Sequence, residues 1–340
     1  MQQSKQFFIG IDVSKLWFDA SLMAVSNHVK QAIQSQQFSN NIDGIKAFDK
    51  WLKLACVAFN ENSIVVIENT GIYHRQLWSY CSNNNLPLHI GNAAHIKWSF
   101  GIARGKSDKI DSVRLCQYAY KEADSLKAMP ALDSEILLLK DLMTSRSKLL
   151  TQVNAIKTYI KELKTISDKT VKIVMEKAHK DAITGLQKSI TIIEGQIRKI
   201  VEERKEIKSN YELLKSVPGI GHLTAIYLIC CTANFNGNIS GKQLACYAGV
   251  VPFEYSSGSS IKGRNRVHQM ANKDLKKMLH LCAMSAIQHN SELKQYYQRK
   301  QQEGKNKMSI INAVRNKIAL RAVAVVKNKR AYVDISPIAA

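Results

Sequence analysis

Two runs of residues constrain the fold more than any other part of this chain. FFIGIDV at 7–13 and SIVVIEN at 63–69 are short, apolar and rich in β-branched side chains, and each carries a single acid near its end. Runs of this kind read as strands covered on both faces, the pattern of a sheet layered between helices. LPLHIGN at 86–92 is a weaker third strand. Between the first two, GIKAFDKWLKLACVAF repeats apolar positions at helical spacing, with Ile45, Phe48, Trp51, Leu52 and Leu54 near one face. Alternating strand and helix predict an α/β layer architecture over residues 1–130.

The acids in those strands are the first functional signal. An unpaired carboxylate is costly to bury, so Asp12 and Glu68 are expected to converge on a common partner. In GKSDKIDSVRL, Asp108 and Asp111 are three apart on a predicted helix and share a face. Together the four form an oxygen-rich cage suited to Mg²⁺. Two such ions could bind both the attacking and the leaving oxygen of a phosphodiester. Plainer readings compete. Asp12 and Glu68 could serve the turns that follow them, and Asp108 and Asp111 could belong to a solvated face among Lys106, Lys109 and Arg114.

Residues 131–210 change character. Leu139, Leu142, Leu149, Val153, Ile156, Ile160 and Leu163 alternate spacings of three and four, with Arg146 in one polar slot. After an expected interruption near DAITG at 181–185, the spacing returns from Ile190 through Ile193, Ile197, Ile200, Arg204, Ile207, Tyr211 and Leu214. Two long helices in a coiled coil are predicted, within one chain or between chains.

The final third is the most basic. The formal charge of +22 is divided as +4 over residues 1–130, +5 over 131–210 and +13 over 211–340. Such concentration is what a polyanion-binding face produces. LLKSVPGIGHLTAIYLICC reads as a helix, a Pro-Gly-Ile-Gly turn and a second helix. In this helix-hairpin-helix-like element, Gly219 and Gly221 would let a phosphate approach the second helix's amides; a simple turn between helices is the alternative. Beyond it stands PFEYSSGSSIKG at 252–263, four serines and two glycines, followed by a basic run and two basic-faced helices. Seven cysteines are scattered with no CxxC, so they are expected to be reduced, small buried hydrophobes. No apolar run approaches the roughly 20 residues of a membrane span. The start is strand-like rather than a signal peptide, and a soluble intracellular protein is expected.

GIDVSK, VIENTGIYH, GKSDKIDSVRL, SVPGIG and AGVVPFEYSSGSSIKG, in this order and spacing, resemble the insertion-sequence 110 family of transposases, which is related to the pilin-gene inverting recombinases. The resemblance covers nearly the whole chain. It implies a RuvC-like (ribonuclease-H-fold) domain at 1–130, coiled-coil helices at 131–210 and a mostly helical transposase domain at 211–340. The family's acid tetrad falls on Asp12, Glu68, Asp108 and Asp111, with Mg²⁺ as cofactor. Its serine nucleophile falls on Ser257, beside Gly258, with Ser256 as the near competitor. DNA would be cut and rejoined through a phosphoserine, guided by a structured noncoding RNA, the bridge RNA. Dimers or tetramers would assemble in the bacterial cytoplasm, at the nucleoid.

Lys106, Lys262, Arg264, Arg266, Lys273 and Lys276 join the two glycines as candidate nucleic-acid contacts. The chain departs from the family where a lysine usually stands at Gln269, leaving His268, Arg264 or Arg266 to supply that charge. Ser112 stands where alanine is common. Two rival readings use fewer features: a metal-dependent nuclease of the Holliday-junction-resolving type working through the acids alone, and a non-catalytic nucleic-acid-binding protein.

Overall fold

The computed structural model describes residues 5–69, 71–100, 108–131, 133–166, 168–253, 256–257, 261–262, 267 and 270–334. The chain divides into two compact units, Met1–Leu132 and Asp133–Ala340.

The first unit is a mixed α/β layer. Its strands are β1 (Gln6–Val13), β2 (Trp17–Ser26), β3 (Val29–Lys30) and β4 (Gln34–Ser39), then β5 (Ser63–Glu68) and β6 (Leu88–Gly91). The sheet runs β3-β2-β1-β5-β6, with β4 also paired to β2. β1 is antiparallel to β2 and parallel to β5, and β5 is parallel to β6. Helix α1 (Ile42–Leu54) lies between β4 and β5. Helices α2 (Arg75–Asn83), α3 (Ala93–Ser99) and α4 (Asp108–Lys121) follow. Strand alternation sorts the side chains between two layers. Phe7, Ile9 and Ile11 pack with Phe48 and Leu52 of α1 and Leu77 of α2. Phe8, Met23 and Val66 pack with Leu115, Cys116 and Ala119 of α4.

Helix α1 is shorter than its periodicity predicts. Cys56 adopts φ +54°, and the Val57 and Cys56 amides donate to the Leu52 and Lys53 carbonyls. That is a Schellman end with cysteine in the left-handed position glycine usually takes. It leaves Leu54 exposed rather than on the buried face.

The second unit is helical. Its long helices are α5 (Ser134–Ile166) and α6 (Lys169–Glu203); α7 (Lys205–Lys215), α8 (His222–Cys231) and α9 (Gly241–Tyr247) follow. A two-stranded ribbon, β7 (Ser256–Ser257) with β8 (Ile261–Lys262), precedes α10 (Lys273–His289), α11 (Ser291–Gln302) and α12 (Lys307–Lys327). α5 and α6 pack along each other within one chain. Arg146, the polar slot of the first heptad run, meets Glu194 at 2.7 Å, and Arg204 pairs with Glu135. Both pairs join residues whose numbers sum to nearly the same value, which is an antiparallel register. The expected break at 181–185 is not there: α6 runs unbroken through DAITG, and Gly185 meets open space. A helix-interior glycine on a solvated face costs only about 1 kcal/mol relative to alanine. The second run is broken instead at Arg204, whose extended φ −104°, ψ 108° separates α6 from α7. Leu139, Met143, Ile197 and Val201 then share a core with Leu214, Ile226, Leu279 and Ile318.

All seven cysteines are free, but Cys56 and Cys246 are exposed rather than buried. Among the described residues no helix is long and apolar enough to cross a membrane.

Candidate active site at the sheet end

Parallel pairing of β1 and β5 registers Ile11 on Ile67, so Asp12 and Glu68 follow side by side. Alternation sends both to the face covered by α4, with Phe8 and Val66 below them. α4 comes very close to the sheet because Gly10 lies beneath it: a Cβ there would stand 2.0 Å from the Cys116 amide nitrogen. Two buried polar contacts fix the helix along its length. The Ser112 and Ser21 hydroxyls are hydrogen-bonded at 2.8 Å, and the Cys116 thiol donates to the Phe8 carbonyl at 3.1 Å. Moving from Ser112 to Cys116 therefore descends the sheet, and the opposite direction carries the first turn of α4 up toward Asp12. Ser112 is fully buried and part of this anchorage.

Asp108 is exposed, and Asp111 is half-buried with Arg114 at 2.9 Å. The Asp12 carboxyl is pushed up to about 6, first by burial and then by the negative charges of Asp108, Asp111, Glu68 and Asp19. Three of the four acids singled out in the sequence thus act electrostatically on the fourth, Asp12.

Asp19 is a fifth, and sequence reasoning missed it. It is paired with Asp12 across the β1–β2 ladder, is 8% exposed, and accepts a 3.0 Å hydrogen bond from the Gln37 side-chain amide. WFDASLMAV carries the same signal as the Asp12 strand, an acid inside an apolar run, and that signal could have found it.

The donor set fits a hard divalent cation such as Mg²⁺, since every candidate ligand is a carboxylate oxygen. Among the described residues, no three His, Cys, Asp or Glu side chains stand close enough together to grip one ion. The fit is therefore one of donor chemistry and of shared sheet face.

In the second unit, Ser257 pairs with Ile261 and Ser256 with Lys262 in the β7–β8 ribbon. Lys106, Gly258, Arg264, Arg266, His268 and Gln269 lie outside the described residues. The segment is held at both ends. Asn312 donates to the Val250 carbonyl at 2.7 Å, and the Asn272 amide donates to the Tyr247 carbonyl at 2.8 Å. Asn272 also caps α10, whose first two turns carry exposed Lys273 and half-buried Lys276.

The two glycines of PGIG differ. Gly219 has φ +85°, and a Cβ on it would meet the Cys282 carbonyl oxygen at 2.2 Å, so packing against α10 accounts for its missing side chain. Gly221 caps α8 and faces open space. A cavity of about 840 Å³ opens there, lined by Lys140, Arg146, Lys148, His222, Tyr247 and Lys277 among others.

Residues 9–166 match a DEDD IS110 model described as a transposase, and residues 211–298 match the model of the transposase IS116/IS110/IS902 family. The chain belongs to the IS116/IS110/IS902 family of transposases. It is 28% identical over 336 residues to the pilin gene-inverting protein of Moraxella bovis, covering 96% of this chain and 97% of that protein. An uncharacterized 43.6 kDa protein of insertion element IS110 from Streptomyces coelicolor is 27% identical over 142 residues, or 41% of this chain and 35% of that protein. A solved structure of T. thermophilus RuvC in complex with a Holliday junction substrate covers 36% of this chain and 99% of its own at 9% identity, with a TM-score of 0.26. At that score the likeness says nothing about the fold.

Proposed function

We propose that this transposase cuts and rejoins DNA strands by serine attack, supported by a carboxylate-bound divalent cation and guided by a structured noncoding RNA. The Ser257 hydroxyl oxygen attacks phosphorus, its proton leaves to solvent or a nearby base, and the bridging oxygen departs as the hydroxyl of the cut strand. A second strand's hydroxyl then attacks the phosphoserine and regenerates the serine, so the bond count is conserved and no outside energy is used. Asp12, Glu68, Asp108 and Asp111 would hold Mg²⁺, which supplies Lewis-acid stabilisation of charge on phosphoryl oxygens. The cations that follow the serine in sequence, Lys262, Arg264 and Arg266, would bind the phosphate. Gly221, Lys273, Lys276 and Lys106 would contact the nucleic-acid backbone, with Gly219 shaping the turn.

The observation that carries this reading is the placement of Asp12 and Glu68 side by side on the sheet face beneath α4, whose first turn carries Asp108 and Asp111. The basic final third supports nucleic acid as the partner. Likeness to a pilin gene-inverting protein along nearly its full length supports recombination rather than cleavage alone. In this reading residues 1–130 form a RuvC-like domain, the α5–α6 hairpin is a coiled coil, and residues 211–340 form the transposase domain. The working form is a homo-oligomer at the bacterial nucleoid.

The test is recombination of a plasmid carrying the element's ends. Ser257→Ala should abolish strand exchange while nucleic-acid binding persists, and EDTA should silence the wild type. An alanine protein that still recombines would place the nucleophile elsewhere. Full activity in EDTA would remove the cation.

A further inference from the structure

Asp12 and Asp19 stand directly opposite each other on β1 and β2. Side chains so paired share a sheet face, with Cβ atoms roughly 4.5–5.5 Å apart, and like charges in that position are destabilising. Burial makes the conflict worse, since Asp19 is 8% exposed and Asp12 is half-buried. Among the described residues no lysine or arginine pairs with either, and every charge acting on Asp12 is negative. Among the described residues the neutral Gln37 amide is the compensating contact, and it holds a single oxygen of Asp19. A divalent cation held against the pair would offset that repulsion, as would a proton on Asp12.

From this we infer that Asp19 is a positioning residue for the divalent cation: held by Gln37, it extends the row of carboxylates from Glu68 through Asp12 to a third strand and would add its charge to the pull on the ion. The row Gln37, Asp19, Asp12, Glu68 spans four adjacent strands, β4, β2, β1 and β5, at one level of the sheet. Asp19 has no place in the four-acid tetrad. The inference rests on the proposed tetrad reading but makes a separate demand of its own residue.

Mn²⁺ is the probe, titrated into the metal-free full-length protein while the free-ion electron paramagnetic resonance signal is followed. Asp19→Asn should raise the Mn²⁺ dissociation constant about tenfold, the lower end of the range for residues supporting metal ligands. Asp19→Glu, which keeps the charge, should recover part of that loss. In EDTA the Asp19→Asn protein should melt no lower than wild type, because the substitution removes repulsion and its amide oxygen still accepts from Gln37. A purely structural aspartate predicts the reverse, a lower melting midpoint in EDTA, and that result would overturn the inference. So would unchanged Mn²⁺ affinity in Asp19→Asn alongside a weakened Asp12→Asn, which leaves the tetrad standing. Unchanged affinity in both variants would overturn the tetrad reading as well.

Discussion

Gly10 and Cys116 mark where α4 presses onto the sheet: a Cβ on Gly10 would lie 2.0 Å from the Cys116 backbone nitrogen and 2.4 Å from the Ser112 carbonyl oxygen. No rotamer relieves a clash with backbone, so α4 must move if the glycine is filled. Gly10→Ala should therefore cost about 1–3 kcal/mol of stability, the usual penalty of overpacking. It should also lower strand cleavage by displacing Asp108 and Asp111 from Asp12. Denaturant melts and a cleavage assay check the two effects together.

Asp12 sets a pH dependence in the metal-free protein. Its folded value, about 6, lies above the 3.8 of an unperturbed aspartate. The folded state therefore favours the protonated form, and the stability it contributes is complete below pH 3.8 and lost as pH rises through about 6. In EDTA, wild type should lose stability relative to Asp12→Asn across that window. Parallel stability curves for the two proteins from pH 4 to 7 would contradict the raised value.

Gly219 and Gly221 should respond differently to alanine. At Gly219 the substituent meets the Cys282 carbonyl from a φ of +85°, and about 1–3 kcal/mol of stability should be lost. At Gly221 the backbone is extended and the space open, so the change should stay within about 1 kcal/mol, the scale of an N-cap exchange. The Gly221→Ala protein should bind DNA more weakly, since a methyl group would stand where α8 offers its amides to a phosphate. Thermal melts beside a binding titration separate the two glycines.

Lys273, exposed at the start of α10, should act through charge alone. Lys273→Gln should weaken DNA binding without regard to sequence. It should lower the slope of log affinity against log salt by about one for the phosphate contact removed. An unchanged slope would take Lys273 out of the interface.

The parts of the fold written in the sequence are those where one-dimensional pattern and three-dimensional burial coincide. β1 and β5 are apolar on both faces because helices cover both, so their runs stand out, and the acid in each stands out against them; β6, with half-buried His89, is fainter. β2 was as legible in principle, since Phe18, Ala20, Leu22 and Ala24 alternate with Asp19, Ser21, Met23 and Val25 on two buried faces. Asp19 and Ser21 on one face disguised it. The partners of Ser112 were not legible at all, because a hydrogen bond between residues 91 apart leaves no local trace. Heptad spacing revealed the long helices but not their ends, since Gly185 reads as a break and Arg204 does not. Which of the four serines at 256–260 carries chemistry rests on resemblance, and the backbone pairing of Ser257 with Ile261 adds only its place in a ribbon.

The central claim, transfer of a DNA phosphate to Ser257, has one direct measurement. The purified protein, with its co-bound RNA, is incubated with element-end DNA in Mg²⁺, digested, and examined by mass spectrometry for a nucleotide-bearing peptide. The account predicts a phosphodiester adduct on the peptide spanning residue 257, missing from the Ser257→Ala and EDTA samples. Cleaved DNA with no protein-linked nucleotide at any time point would contradict it.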